Sequence, residues 1–414
     1  MRAAAVAPPG RLRATFLAQP HLRVLIAGAG IGGLTAALAL SRIGMTVALF
    51  DQAERLEETG AGIQLSPNAT RVLIALGLAD RIEGAVVAPA AIRLRTSSGR
   101  NIATLPLGAA IAARHGAPYW VVHRADLQRA LLGAVKAEPR ISLTLGAKVD
   151  DFDIDAAGVC AFVCGTACPD GTDERGSALI GADGLWSTIR YRLGDLAPPR
   201  FAGRTAWRAL IPAAILPPQF AEPMIHLWIG PLGHLVHYPV RAGAAINIVA
   251  VARDPWQSAA WDTPASREEV LARFPTPQWA GEARDVLAAA ERWQKWPLSD
   301  RAPSRPWGRG PVTLLGDAAH PMLPFLAQGA AMAIEDAAVL AREFARRPDD
   351  PAVALRRYEA TRQPRTERVQ RAARRNDFNY HLGFPGAYFR DATLRALGGE
   401  RLIARYDWLF EWAS

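Results

Sequence analysis

The densest chemistry in this chain lies in Gly28-Ala29-Gly30-Ile31-Gly32-Gly33, which satisfies G-x-G-x-x-G between an apolar run at 23–27 and a helix-forming one at 34–40. Glycines so spaced allow a tight turn and let backbone N–H groups approach a pyrophosphate at a helix N-terminus. Asp51, followed by Gln52, ends the next apolar run at 46–50, near the spacing of an acid that holds ribose hydroxyls. Six such residues alone also fit a Gly-rich helix-packing turn. The strand–helix–strand order and the acid point instead to a dinucleotide, either FAD or NAD at this stage.

Two later acids extend the pattern. Gly181-Ala182-Asp183-Gly184 and Gly316-Asp317 each place an aspartate just beyond an expected strand, 178–181 and 312–315. Ligands of α/β sheets bind at such strand ends, although each motif alone also fits a turn or cap. After Asp317 comes a proline-stiffened loop with His320, Pro324 and Phe325, then a helix opening near Gly329 and Ala330. A helix N-terminus aimed back at the acid suits a polar, partly anionic ligand. His320 fits a loop brace or a ligand contact equally well.

A different chemistry is written in His234-Leu235-Val236-His237-Tyr238-Pro239. On a strand, His234 and Tyr238 share a face while His237 points the other way. Histidine titrates near neutrality, so His234 can take a phenolic proton directly or through Tyr238. A purely structural pair reads the same from spacing. Trp207 and Arg208 begin the same sheet, where both can simply pack, and Arg208 can also approach a carboxylate.

The elements that must position these groups follow from composition and periodicity. At 414 residues, half of them hydrophobic, the chain can bury a sizeable core. Its net charge of +9 is spread without a dense basic block, against a nucleic-acid partner and in favour of anionic ligands. Cys160, Cys164 and Cys168 are an odd set without local histidines, which fits reduced structural thiols in a cytoplasmic protein and no metal site. Residues 1–21 read as a disordered extension without a secretory signal, and the glycines inside 24–41 speak against a membrane helix. Helices are expected from Ser66-Pro67 to Gly77, at 125–135, from near Leu185, at 266–274, 282–292, 352–376 and 391–405. A hairpin is expected around Ser97-Ser98-Gly99, short strands at 120–123 and within 141–163, and a turn at Asp170-Gly171. From 205 to 253 the alternation becomes antiparallel in character.

Together the three nucleotide motifs resemble those of the single-component FAD-dependent aromatic hydroxylases, over nearly the whole chain from Val24. The resemblance implies an α/β fold with a Rossmann-like FAD-binding domain, an inserted antiparallel substrate sheet and C-terminal helices. Its boundaries would be 22–90, 120–200 and 300–345 for FAD, 91–119 and 201–299 for substrate, and 346–414 for the helices. It implies that Gly28, Gly30, Gly32 and Gly33 face the FAD pyrophosphate, and that Asp51 and Gln52 lie at the adenosine ribose, where relatives usually have glutamate. Arg124 and Gln128 would contact FAD, Val149 the adenine, Asp183 both FAD and a passing NADH or NADPH, Asp317 the ribityl chain, and Gly329 and Ala330 the flavin N1 and C2 carbonyl.

On the substrate side the His234–Tyr238 spacing resembles 3-hydroxybenzoate 6-hydroxylases and 6-hydroxynicotinate 3-monooxygenases. Gln64 and Phe325 stand where the hydroxynicotinate enzymes carry histidines, so a pocket with Pro324 and Phe325 favours a benzenoid ring. Trp293 and Trp296 do not form the W-x-W-x-I-P pattern of flavin halogenases and read as core aromatics. The implied activity is hydroxylation of a phenolic, carboxylate-bearing aromatic with O2 through a flavin C4a-hydroperoxide, by a monomer or homodimer with no nucleic-acid or membrane partner. The alternatives are an FAD epoxidase or reductase of a non-aromatic substrate, and a non-catalytic FAD-binding redox sensor.

Overall fold

Short runs of Val, Ile, Leu and Ala without charge suit strands covered on both faces, the condition inside a parallel α/β sheet. The structure is a computed structural model describing residues 22–56, 61–256 and 263–413, and the extension expected at 1–21 lies outside them. Five such strands form a parallel sheet in the order Val312–Leu314, Ala178–Gly181, Arg23–Ala27, Thr46–Asp51, Ile141–Leu145. Ala27 pairs with Gly181 and Gly181 with Leu314, so the glycine motif, the Asp183 loop and the Asp317 loop leave the same edge.

The second sheet has eight strands in the order Thr263–Ser266, Arg292–Asp300, Arg200–Pro212, Ala245–Arg253, Gly233–Val240, Met224–Ile229, Ala91–Thr96, Asn101–Pro106. All its pairings are antiparallel except that of Met224–Ile229 with Ala91–Thr96. One face buries Trp207, Trp228, Leu235, Ile248 and Trp293 in a core of their own. The opposite face looks toward the loops at the edge of the parallel sheet.

Several local expectations need correction. The helix expected at 282–292 stops at Ala288, and Arg292 opens the strand Arg292–Asp300, which buries Trp293 on one face and Trp296 and Leu298 on the other. The turn expected at Asp170-Gly171 is an irregularity inside the strand Cys168–Gly176, with Gly171 in the left-handed region. The helix expected near Leu185 begins at Thr188, because the Ser187 hydroxyl accepts from Arg190 N and caps it there. Ser66 does stand at a helix start, yet its hydroxyl serves Asn68 and Gln328 and caps nothing. The helix expected at 391–405 starts at Gly386, and the helix Gly108–His115 and strand Gly62–Leu65 were not expected.

The helix Gly329–Arg346 is packed between the parallel sheet and the long helix Pro351–Tyr380 through one buried ionic cluster. Asp336 accepts from Gly316 N at 3.0 Å, pairs with His320 Nε2 at 2.6 Å and accepts from Arg362 Nε at 2.6 Å. Glu335 takes Arg362 Nη1 at 2.5 Å, Arg365 Nε at 2.6 Å and Asn68 Nδ2 at 2.6 Å. Burial alone would raise the Asp336 carboxyl, but His320 and Arg362 outweigh it and hold the group down at about 2. His320 is thus a loop brace, turned away from the cleft.

On the far face of the eight-stranded sheet, His226 and His237 stack with ring centroids 4.4 Å apart. Both are fully buried; burial and the nearby Arg95 keep them neutral, His226 at about 3 and His237 well below its ordinary value. Cys160, Cys164 and Cys168 are free thiols. Among the described residues no helix is long and apolar enough to cross a membrane.

Removing one partner of a buried ion pair leaves the others uncompensated, so Asp336→Ala should cost about 3–5 kcal/mol of unfolding free energy in urea titrations. A histidine whose folded pKa is depressed leaves stability intact above the unfolded value near 6.5 and erodes it as pH falls toward the folded one. His226 and His237 should therefore each make stability decline below about pH 6.5 at ~1.4 kcal/mol per pH unit. His226→Phe should remove one proton's share of that slope when denaturation is repeated from pH 7 to 5.

Candidate active site

Antiparallel register determines which substrate-side residues can meet. Arg208 pairs with Val249 and Val249 with Val236, making one row across three strands. The next row is Ala206, Val251 and His234, and the row on the other side is Leu210, Asn247 and Tyr238. Side chains of paired residues share a face, so His234, Arg208 and Tyr238 stand on one wall. Two strand spacings and two residues separate the Cα atoms of Arg208 and His234 by about 12 Å. A cavity of about 320 Å³ opens against this wall.

The opposite wall comes from the parallel sheet. Gly30 is the N-cap of the helix Ile31–Arg42, with no side chain capping its first turn and open space where a Cβ would lie. Gly28 has φ +103°, and a Cβ there would meet Ala182 O at 2.3 Å; one on Gly33 would meet Gly28 O at 1.9 Å. These two glycines let the loops close on one another, and Gly30 leaves the space outside them clear. Asp51 fixes the motif by accepting from Ala29 N at 2.6 Å and Ala53 N at 2.8 Å. Ala147 N donates to Asp51 O, which brings Val149 to the same end as Asp51 and Gln52.

The helix Gly329–Arg346 also lacks a side-chain cap, because Gln328 spends its amide on Ser66 and Asn68. The amides of Gly329 and Ala330 therefore remain directed at the cavity that these residues line. Ala327, just before them, holds a left-handed φ of +52°, a strained turn for a residue with a Cβ. Asp317 opens on the same cleft; burial among protein atoms raises its carboxyl, against the pull of His320 and Arg124.

Arg208 is the cation of the substrate wall. Its guanidinium lies 4.6 Å over the Trp296 ring, its Nε lacks a hydrogen-bond partner, and no carboxylate pairs with it among the described residues. Burial, then the charge of Arg124, pulls its pKa down to about 10, so it stays charged at neutral pH. Tyr238 lies across from Gln64, which accepts from Tyr119 Oη at 2.7 Å, and burial pushes the Tyr238 phenol upward. His234 does not bond Tyr238: its Nδ1 meets His381 Nε2 at 3.0 Å, leaving Nε2 for the cavity. Burial, with His381 and Arg204 nearby, holds His234 well below its ordinary pKa and hence neutral.

The structure brings Gly30, Gly32, Gln64, Arg124, Arg208, His234, Tyr238, Asp317, Pro324, Gly329 and Ala330 to this one cavity. Gly28, Gly33, Asp51, Gln52, Gln128, Val149 and Asp183 lie outside its wall. Asp183 is turned to Ser187 Oγ at 2.6 Å and Ile189 N at 3.1 Å, and Gln128 Oε1 is buried without a partner. Phe325 is buried behind His234, ring centroids 5.4 Å apart, so it shapes the histidine and not the cavity surface.

Residues missed from sequence include Gly62, where a Cβ would strike the Tyr238 ring at 2.7 Å, and Asn247, whose Oδ1 accepts from Gly62 N at 2.6 Å. His381 and Asp377 were missed as well. Only Gly62, a glycine opening a short apolar run before Ser66-Pro67, carried a local signal.

Two uncapped helix N-termini, an unpartnered buried amide oxygen on Gln128 and a glycine cradle fit an extended group with a pyrophosphate and an electron-rich ring, which is the chemistry of FAD. The comparisons agree. A family model described as FAD binding domain matches residues 21–373. A 3-amino-4-hydroxybenzoate 2-monooxygenase of Streptomyces platensis is 38% identical, covering 96% of this chain and 97% of its own. A 3-hydroxybenzoate 6-hydroxylase of Aquipseudomonas alcaligenes is 37% identical, covering 94% and 98%. Among solved structures, a salicylate hydroxylase substrate complex superposes with TM-score 0.79 at 27% identity, covering 95% and 96%. Klebsiella pneumoniae HpxO complexed with FAD and uric acid gives 0.81 at 29%, covering 94% and 96%. With the cofactor cradle, the fold and relatives spanning the full chain in agreement, the chain belongs to the FAD-binding-domain family and is an FAD-dependent aromatic-ring monooxygenase.

Proposed function

We propose that this enzyme hydroxylates a phenolic benzenoid carboxylate in the cytoplasm, with NADH or NADPH as transient reductant and O2 as co-substrate. The observation that carries the substrate class is the pairing, on one wall, of a charged Arg208 without a carboxylate partner among the described residues with a neutral His234 about 12 Å away between Cα atoms. An aromatic acid spans that gap with its carboxylate on the guanidinium and its hydroxyl at the imidazole. Apolar Val236, Val249 and Val251 floor the space between them.

Bound FAD, reduced by the nicotinamide and reoxidised by O2, would supply electrophilic oxygen to the ring. The chain's own residues do the rest. Gly28, Gly30, Gly32 and Gly33 receive the pyrophosphate, Asp51 and Gln52 the ribose, and Val149 the adenine edge. Arg124 and Gln128 would hold the cofactor from the helix Arg124–Lys136, Asp183 and Asp317 its middle, and the Gly329 and Ala330 amides the flavin pyrimidine edge. Those amides stabilise negative charge there through the helix dipole. His234 Nε2 accepts the phenolic proton, which enriches the ring toward an electrophile, and Tyr238 with Gln64 and Pro324 closes the substrate site against water. The five-stranded unit serves FAD and the eight-stranded unit the substrate.

The reading is tested with FAD-loaded protein, a panel of hydroxybenzoates and hydroxypyridine carboxylates, both nicotinamides and ¹⁸O2. Substrate-stimulated NAD(P)H oxidation with ¹⁸O in a benzenoid product is expected; FAD binding without stimulation by any aromatic acid would overturn it. Losing a charge-assisted contact is worth about 1.5–3 kcal/mol, so Arg208→Met should raise KM for carboxylated phenols roughly 10- to 100-fold and leave that for neutral phenols nearly unchanged. His234→Asn should lower the hydroxylation rate by about 10²-fold or more while substrate binding persists. Product yield per NAD(P)H consumed separates the two variants.

A further inference from the structure

The base reading of His234 leaves open what fixes its tautomer and where its proton goes. His381, at the end of the helix Pro351–Tyr380, offers Nδ1 to Asp377 O at 2.7 Å and to Asp377 Oδ1 at 3.0 Å. Both partners are acceptors, so His381 Nδ1 carries the proton and its Nε2 carries a lone pair. That lone pair faces His234 Nδ1 at 3.0 Å, so His234 must also be protonated on Nδ1. By elimination the His234 nitrogen turned to the cavity is an unprotonated acceptor. An isolated neutral imidazole has no such constraint, and a backbone carbonyl, which never donates, sets it here through two rings.

We propose that His381 and Asp377 are positioning residues for the hydroxylation, holding His234 in its base-ready tautomer and taking up the charge it receives. The proposal rests on the reading of His234 as the base. In the step, the substrate O–H bond breaks, its electron pair stays on oxygen, and an Nε2–H bond forms on His234. The Nδ1–H of His234 passes to His381 Nε2, and the positive charge rests on His381 against the Asp377 carboxylate. No oxidant or reductant is consumed.

The groups facing the pair are few. Arg204 Nε holds Asp377 Oδ1 at 2.5 Å from the strand Arg200–Pro212, while Tyr380 and Phe325 lay their rings on His234 at 5.5 and 5.4 Å. Val251 and Ala206 complete its row on the sheet. Burial keeps both rings neutral at rest, His381 despite the pull of Asp377. Asp377 is 23% exposed and gives the proton a way to solvent, whereas His234 is buried. The arrangement parallels the orienting logic of an Asp–His pair with a second histidine inserted.

The test uses ¹⁵N-histidine-labelled, FAD-loaded protein without substrate, and reads ring tautomers from ¹⁵N shifts. Wild type should show both His234 and His381 as Nδ1–H tautomers, and His381→Phe should release His234 to the Nε2–H form. A wild-type Nε2–H tautomer on His234, or no change in His381→Phe, overturns the proposal. The charge-taking half is read at pH 7.5 from the ultraviolet difference spectrum of bound 3-hydroxybenzoate. Asp377→Asn, which keeps the backbone carbonyl and serves as a gentler variant should His381→Phe misfold, should lower the bound phenolate fraction severalfold at unchanged affinity. An unchanged phenolate fraction in Asp377→Asn rejects that half. If His234→Asn also leaves the phenolate unchanged, the base reading itself fails, and the two failures are thereby distinguished.

Discussion

Most of the site depends on where one carboxylate sits. Asp336 reaches back from the helix Gly329–Arg346 to the Gly316 amide, the His320 ring and the Arg362 guanidinium at once. Gly316 begins the turn that delivers Asp317, His320 braces the loop that leads to Pro324, and Arg362 belongs to the long outer helix. A buried ionic cluster of this kind is a poor source of net stability, since desolvation cancels much of the attraction. Its geometric consequence is stricter. The strand end, the loop and the helix N-terminus cannot move independently without exposing an unpaired charge to the core.

That rigidity matters because the cleft is electrostatically open on its cofactor side. Helices usually satisfy their first amides with a Ser, Thr, Asp or Asn cap. Here Gly30 has no side chain to offer, and Gln328 is held by Ser66 and Asn68, so both helix ends keep their amides for a ligand. The Asn68–Gln328 bond also links the second N-terminal helix to the ionic cluster through Glu335. An unmet helix end inside a fold is costly unless something negative occupies it, and a group with a pyrophosphate at one end and an electron-rich ring at the other meets both.

What could be read from sequence divides along the range of the interactions. The strand–turn–helix around the glycine motif, the strand ends that carry Asp183 and Asp317 and the shared face of His234 and Tyr238 each depend on neighbours within a single turn or strand, where spacing alone settles geometry. The strand Arg292–Asp300 was hidden because Trp293 and Trp296 fall three residues apart, a helical spacing, directly after a true helix, and short mixed runs do not declare their period. Asp336 and Arg362 are 26 residues apart, and His234 and His381 are 147 apart. The first is made by packing the helix Pro351–Tyr380 onto the helix Gly329–Arg346, the second by packing its end onto the substrate sheet. No local pattern around His381 distinguishes it from a surface helix end.

The consequence for catalysis is a division of labour between the two nitrogens of one ring. The substrate sheet places His234 Nε2 in the cavity, a task for strand register, and the C-terminal helix decides whether that nitrogen holds a lone pair or a proton. A mutation that shifts Pro351–Tyr380 along the sheet would leave the cavity's shape nearly intact while losing the His234–His381 contact, since aromatic packing by Phe325 and Tyr380 tolerates displacements that a 3.0 Å hydrogen bond does not. The helix is itself anchored at Arg362 by Asp336, the carboxylate that positions Asp317. Cofactor loop and substrate base are thus referred to the same buried charge from opposite ends. The long helix thus ties the turn that carries Asp317 to the hydrogen bond on His234 Nδ1.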